Sequence, residues 1–308
     1  MKKFKILSLA LIFAAFVFNA CEDSSTDPID DPIVAPNAPT NMMASSKSAT
    51  SVNLKWTAST SESSDDFCCY VLNVTGGATV APIEVTKGQT TYTVQGLEEG
   101  TVYTFSLKAK NTDGSLSAAA TINWSPASRF EENENGDPIK IYESASDFGS
   151  GLVVYDKDSK LPRSAKVSDG KYWTLGLYTK DNQILLGSPT LLSYSYGSAP
   201  SVTEIADVIT GITSLNDIYD SQALNYKTFA EKTIDLTQYN TNIAFVIRYK
   251  LEGSTEYNYA KVFVKYVNGS FLQGTADNRY VEFILSFQTN AGVPYAIVNE
   301  KVTNNSVK

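Results

Sequence analysis

Apolar side chains recur at every second position along much of this chain, the spacing of strands that bury one face. The run 51–56 sets Val52, Leu54 and Trp56 on one side, and 70–74 does the same with Tyr70, Leu72 and Val74. Further strands are expected at 91–94, 104–110, 183–186 and 191–196, and at 171–179 with Trp173, Leu175 and Leu177 together. The runs 243–250 and 257–267 fit a pair joined across 251–256, and 280–288 alternates with Val281, Phe283, Leu285 and Phe287 inward. One stretch reads as a helix. Ser201 with Glu204 three residues on has the form of a capping box, and Val202, Ile205, Ile209 and Ile212 follow at helical spacing. Asp169-Gly170, within Ser168 to Lys171, lies between two strand-like runs and predicts a hairpin turn rather than a Ser-x-x-Lys catalytic pair. The fold class is all-β, with at most one short helix.

Composition supports two packed domains. The chain has 308 residues, 43% of them hydrophobic, with 18 Tyr and 14 Phe, a bias toward half-buried strands. The count that excludes most is zero histidines. It removes Ser-His and Cys-His pairs, histidine metal sites and the commonest general base. No catalytic residue and no metal site is assigned, and the chain is expected not to be an enzyme. Its net charge of −8 argues against nucleic acid as a partner.

The first 20 residues read as a signal peptide. Lys2, Lys3 and Lys5 precede an uncharged apolar run at 6–18. That run spans about 20 Å as a helix, short of a hydrocarbon core of about 30 Å. Phe18-Asn19-Ala20-Cys21 resembles a bacterial lipobox through Ala20 and Cys21, and departs from its usual form at Phe18 and Asn19. The resemblance implies lipidation at Cys21, hence a membrane anchor as partner and an outer-membrane, surface-exposed location. Residues 21–35 are acidic and proline-bearing and read as an extended tether. Acids just after a lipidated Cys also resemble a surface-export signal.

Residues 36–128 resemble a fibronectin type III domain. The resemblance rests on Pro36-Asn37-Ala38-Pro39-Thr40, the alternating runs above, and Leu97, Gly100 and Tyr103, which match its tyrosine corner. It implies a seven-strand sandwich with Trp56 in the core. The turn 111–115 contains no Arg, so integrin-type adhesion is not implied. Strand parity predicts that Cys68 is buried and Cys69 free or partly exposed.

Residues 129–138, rich in Glu and Asn, read as a solvated linker rather than a calcium loop. Residues 139–308 form a second β-rich domain. Its segments 172–178, 243–248 and 259–262 resemble the HmuY-like haem-binding lipoproteins, although Thr174 stands where that family usually has Asp. Haem binders of that family use His or Met. This chain has no His, and beyond the leader only Met42 and Met43, so haem would require Tyr ligation. The residues themselves call for no cofactor. The expected function is a non-catalytic surface lipoprotein that binds a glycan, a porphyrin or a protein through its C-terminal domain. Trp173, Tyr194, Tyr196, Tyr257 and Tyr259 are the candidate contacts. The alternatives are a structural or adhesion lipoprotein, a haem binder, and a carboxylate-based glycoside hydrolase. For the last, Asp156-Lys157-Asp158 lies in a polar turn, and no particular pair of carboxylates is singled out.

Overall fold

The computed structural model describes residues 34–77, 80–196, 200–218, 229–251 and 253–292. The expected signal peptide, Cys21 and nearly all of the tether lie outside them. Among the described residues the chain is built from antiparallel strands and short 3-10 turns, none of them long and apolar enough to cross a membrane.

The fibronectin-like half forms as its alternation requires. Thr40–Ser48, Ser51–Thr57 and Thr91–Gln95 make a three-stranded sheet, and Ile83–Thr86, Phe67–Thr75, Tyr103–Asn111 and Ala120–Trp124 a four-stranded one. Val52, Leu54 and Trp56 face Tyr70, Leu72, Phe105 and Leu107 across the buried core. The tyrosine corner is present: the Tyr103 hydroxyl accepts a hydrogen bond from the Glu98 N–H at 2.9 Å. The two cysteines are reversed from expectation, with Cys68 exposed and Cys69 buried. A register shift between Phe67 and Cys69 turns Phe67 inward in place of Cys68. Burial pushes the Cys69 thiol up to about 11.

The C-terminal half packs two sheets face to face. One has the order Arg163–Ala165, Gly151–Val153, Leu175–Tyr178, Leu185–Gly187, Thr233–Asp235. The other runs Ala230–Glu231, Thr203–Ile205, Ile243–Tyr249, Asn258–Val264, Tyr280–Phe287, Ser128–Phe130, with Ile139–Tyr142 extending it beside Tyr280–Phe287. Val281, Phe283, Leu285 and Phe287 all point inward and are fully buried, meeting Leu152, Leu175, Leu177 and Leu186 from the smaller sheet.

Several local expectations give way to this architecture. The predicted helix at 201–212 is two short strands, Thr203–Ile205 and Ile209–Thr210, both paired with Ile243–Tyr249. A short helix is marginal by itself, whereas these strands complete the ladder of a buried strand. Gly211, at φ +72°, turns the chain out of helical space directly afterwards. Residues 168–171 are not a hairpin turn but lie in a 3-10 helix, Val167–Tyr172. The strands on either side of it flank Gly151–Val153, so the connection must cross that strand. Residues 191–196, expected as a strand, hold instead the end of a 3-10 turn, Pro189–Leu191, and then irregular chain from 192 on. Part of the expected linker is structured: Ser128–Phe130 is a strand on Tyr280–Phe287, and the exposed residues after it close a turn on Asn133 Oδ1.

The two halves share one core. Ile212, Leu215, Ile218, Val246, Tyr259 and Phe263 belong to the same buried cluster as Ala44, Val74 and Trp124. Polar groups at this junction are satisfied across it. Glu99 accepts from the N–H and hydroxyl of Ser128 at 3.0 and 2.9 Å. Gln288 donates to the Pro126 carbonyl at 3.0 Å. Buried Lys261 donates to the Ile218 carbonyl at 2.6 Å, with its ammonium 5.3 Å from the Trp124 ring centre.

At the other end of the large sheet, buried Glu143 binds Arg279 through the guanidinium at 2.7 Å and the backbone N–H at 2.8 Å. Hydrogen bonding to Arg279 holds its carboxyl below the usual range. A depressed carboxylate stabilises the fold above its unfolded pKa of about 4.3, and that contribution is lost as pH falls through the lower folded value. Glu143→Gln should therefore cost about 1–3 kcal/mol at pH 7. The gap from wild type, read from urea midpoints between pH 7 and 3, should narrow below about pH 4.

Candidate binding cleft

The aromatics singled out by sequence fall into two packed clusters. Trp173 is fully buried, its indole N–H donating to the Lys166 carbonyl at 2.9 Å. It lies in a slot between Gly151 and Gly176, and a Cβ on Gly151 would overlap the indole. Tyr194 and Tyr196 meet it edge-on, each with ring centres at 5.4 Å. Their hydroxyls donate to the carbonyls of Leu177 at 2.6 Å and Pro189 at 3.0 Å, and burial raises both phenol pKa values. Tyr257 is half-buried. It donates to Glu204 at 2.7 Å, and the Arg248 guanidinium lies 4.5 Å from its ring centre. Tyr259 is buried against Phe229. Trp173 offers no face to a ligand, and the tyrosines around it serve its packing.

A cleft of about 390 Å³ opens nearby. Its floor includes Val153, Tyr155, Thr174 and Tyr249. Tyr155 stacks on Phe287 at 4.9 Å, and burial raises its phenol pKa. The turn after Gly151–Val153 supplies Asp156, Lys157 and Asp158, while Arg163 opens the next strand. Asp156 is held by Arg163 at 2.7 Å and accepts from the backbone of Asp158 and Ser159 at 3.0 and 3.2 Å. The Arg163 contact keeps its carboxyl below the ordinary range. Such a carboxylate stays ionised near neutrality and is a poor general acid. Lys171 and Tyr172 come from the 3-10 helix, and Lys250 from the end of Ile243–Tyr249. Tyr172 is 44% exposed, with the Lys171 ammonium 4.5 Å from its ring centre.

Of these residues, the sequence marks the Asp156-Lys157-Asp158 turn as polar and weighs Lys171 only within a Ser-x-x-Lys spacing, and it favours Trp173 over its neighbour Tyr172 as a ligand contact. The alternation that could have separated them fails here, because the strand begins only at Leu175. Among the described residues no group of three or more His, Cys, Asp or Glu could hold a metal ion.

The sandwich, its corner and its strand order define the first half of the protein, and residues 37–123 match the fibronectin type III domain family. This segment is a fibronectin type III domain. Through it the chain is similar to chitinase A1 of Niallia circulans, 37% identical over 102 residues, which are 33% of this chain and 14% of that protein. It is likewise similar to exoglucanase A of Cellulomonas fimi, 41% identical over 95 residues, 31% of this chain and 10% of that one. The chain thus spans far less than two thirds of these relatives. Among solved structures, the fn3 domain of the human collagen alpha-1(XX) chain aligns at 18% identity, covering 32% of this chain and 92% of that one with a TM-score of 0.26.

Proposed function

We propose that this chain is an exported, non-catalytic surface protein, anchored through a lipid on Cys21 at the outer membrane. In this reading it binds an extracellular saccharide in the cleft of its C-terminal sandwich. One observation carries the choice of site: an exposed tyrosine ring, Tyr172, stands at a concave opening rimmed by charged side chains. Concave sites with an aromatic surface and a few placed polar groups are where small ligands bind, and a tyrosine face suits the apolar side of a sugar ring. Two relatives that carry the fibronectin domain are named for saccharide substrates, which favours a glycan over a peptide. The pairing of Asp156 with Arg163 favours binding over hydrolysis.

A calorimetric titration of the purified chain against an oligosaccharide panel tests this. Micromolar to millimolar binding is expected, weakened about tenfold by Tyr172→Ala, roughly the 1.4 kcal/mol that one aromatic contact supplies. Silence across the panel would sink the saccharide reading. The structural alternative, supported by the core shared between the two halves, would then take its place. Haem added to the same sample separates the remaining alternative, because a saturable Soret shift would move the assignment to a Tyr-ligated haem protein.

A further inference from the structure

We propose that the cleft selects an acidic saccharide, one bearing carboxylate or sulfate groups. The inference rests on the cleft being the binding site and adds a charge requirement to it. The chain as a whole carries −8, yet the cleft reverses that sign. Lys157, Arg163, Lys171 and Lys250 line it against Asp156 and Asp158. The 2.7 Å pair of Arg163 with Asp156 cancels one charge of each kind. Among the described lining residues, Lys157 and Lys250 are then set against the one remaining carboxylate, Asp158. Among the described residues neither Lys157 nor Lys250 has a carboxylate partner.

The lining lysines come from three separate segments: the turn following Gly151–Val153, the 3-10 helix Val167–Tyr172, and the end of Ile243–Tyr249. The fold gathers them; no basic run in the sequence does so. Like charges collected in a concave site repel one another, and the low-dielectric walls focus their field. An anion seated between them relieves the repulsion. A long polyanion such as nucleic acid would have to follow the acidic surface outside the cleft. A short acidic oligosaccharide meets only the cleft, with Tyr172 placed to stack on a ring while the lysines meet its acid groups.

The test uses the full chain and three probes of equal length: a galacturonate oligomer, a sulfated oligosaccharide and a neutral cello-oligosaccharide. At low salt at least one acidic probe should bind tenfold or more tightly than the neutral one. Which acidic probe leads distinguishes carboxylate from sulfate. The advantage should largely vanish in about 1 M salt, where the screening length falls to about 3 Å. Lys157 and Lys250 are both exposed, so the double variant Lys157→Gln/Lys250→Gln should keep the wild-type Tm while the ratio of acidic to neutral affinity falls to about one. Equal or tighter binding of the neutral probe at every salt concentration would overturn the charge requirement and leave the saccharide reading standing. Acidic preference that survives the double substitution would also overturn it, since the selecting charges would lie elsewhere. Silence toward all three probes would overturn both.

Discussion

Trp173→Ala should destabilise the protein by about 3–5 kcal/mol, the cost of truncating a large buried aromatic. The upper part of that range is expected because the site cannot collapse. Two of the walls around the indole are the glycines 151 and 176, which have no side chains to move into the space. Tyr194 and Tyr196 are tied by their hydroxyls to the carbonyls of Leu177 and Pro189, so neither ring is free to swing inward. The Lys166 carbonyl loses its indole donor but keeps the Asp169 N–H at 2.9 Å, so the loss is mainly one of packing. Tyr172→Ala, one residue away but largely outside the packing, should change stability by about 0.5 kcal/mol or less. Urea unfolding of the two variants side by side checks the contrast. A Trp173→Ala protein of near wild-type stability that had lost saccharide binding would return this residue to the role of ligand contact.

The second large effect lies at the junction. Phe263→Ala, in the large sheet, should cost about 3–5 kcal/mol, and the loss should register in both halves. Phe263 is 3% exposed and belongs to the cluster that includes Trp124 and Val74 of the fibronectin domain. If that core is one cooperative unit, opening it at Phe263 lowers the protection of strands on both sides. Hydrogen exchange followed by mass spectrometry reads this directly. Tyr103–Asn111 in the fibronectin domain should lose protection together with Ile243–Tyr249. Wild-type protection in Tyr103–Asn111 alongside a weakened C-terminal sheet would mean that the first domain folds independently.

What could be read from the sequence was what local physics fixes. Tyr280–Phe287 and Ser51–Thr57 carry strict alternation over a full strand, and the tyrosine corner lies within a few residues of its own partner. The misreadings came where tertiary partners outbid local ones. Ser201 and Glu204 have the chemistry of a capping box, but the Ser201 hydroxyl donates to the Trp173 carbonyl and Glu204 pairs with Arg248 at 2.6 Å. A one-residue bulge exchanged the environments of Cys68 and Cys69, and strand parity has no means of anticipating a bulge. The cleft was illegible for a different reason. Its side chains come from 153–163, 171–174, 201 and 249–251, and only the pairing of strands brings those stretches together. Residue type alone pointed to the most aromatic segments, and there the rings are committed to packing.

The shared core also bears on how a bound ligand would be presented. Two modules on a slack connector sample many orientations, and each binds as if alone. A continuous interior removes that rotational freedom, so the opening beside Tyr172 keeps a set angle to the fibronectin domain. Were the proposed lipid anchor to hold many copies in one plane, they would face a repetitive polymer in register. Their combined grip would depend on the spacing of the repeats along that polymer, a dependence that dissolved oligomers would not reveal.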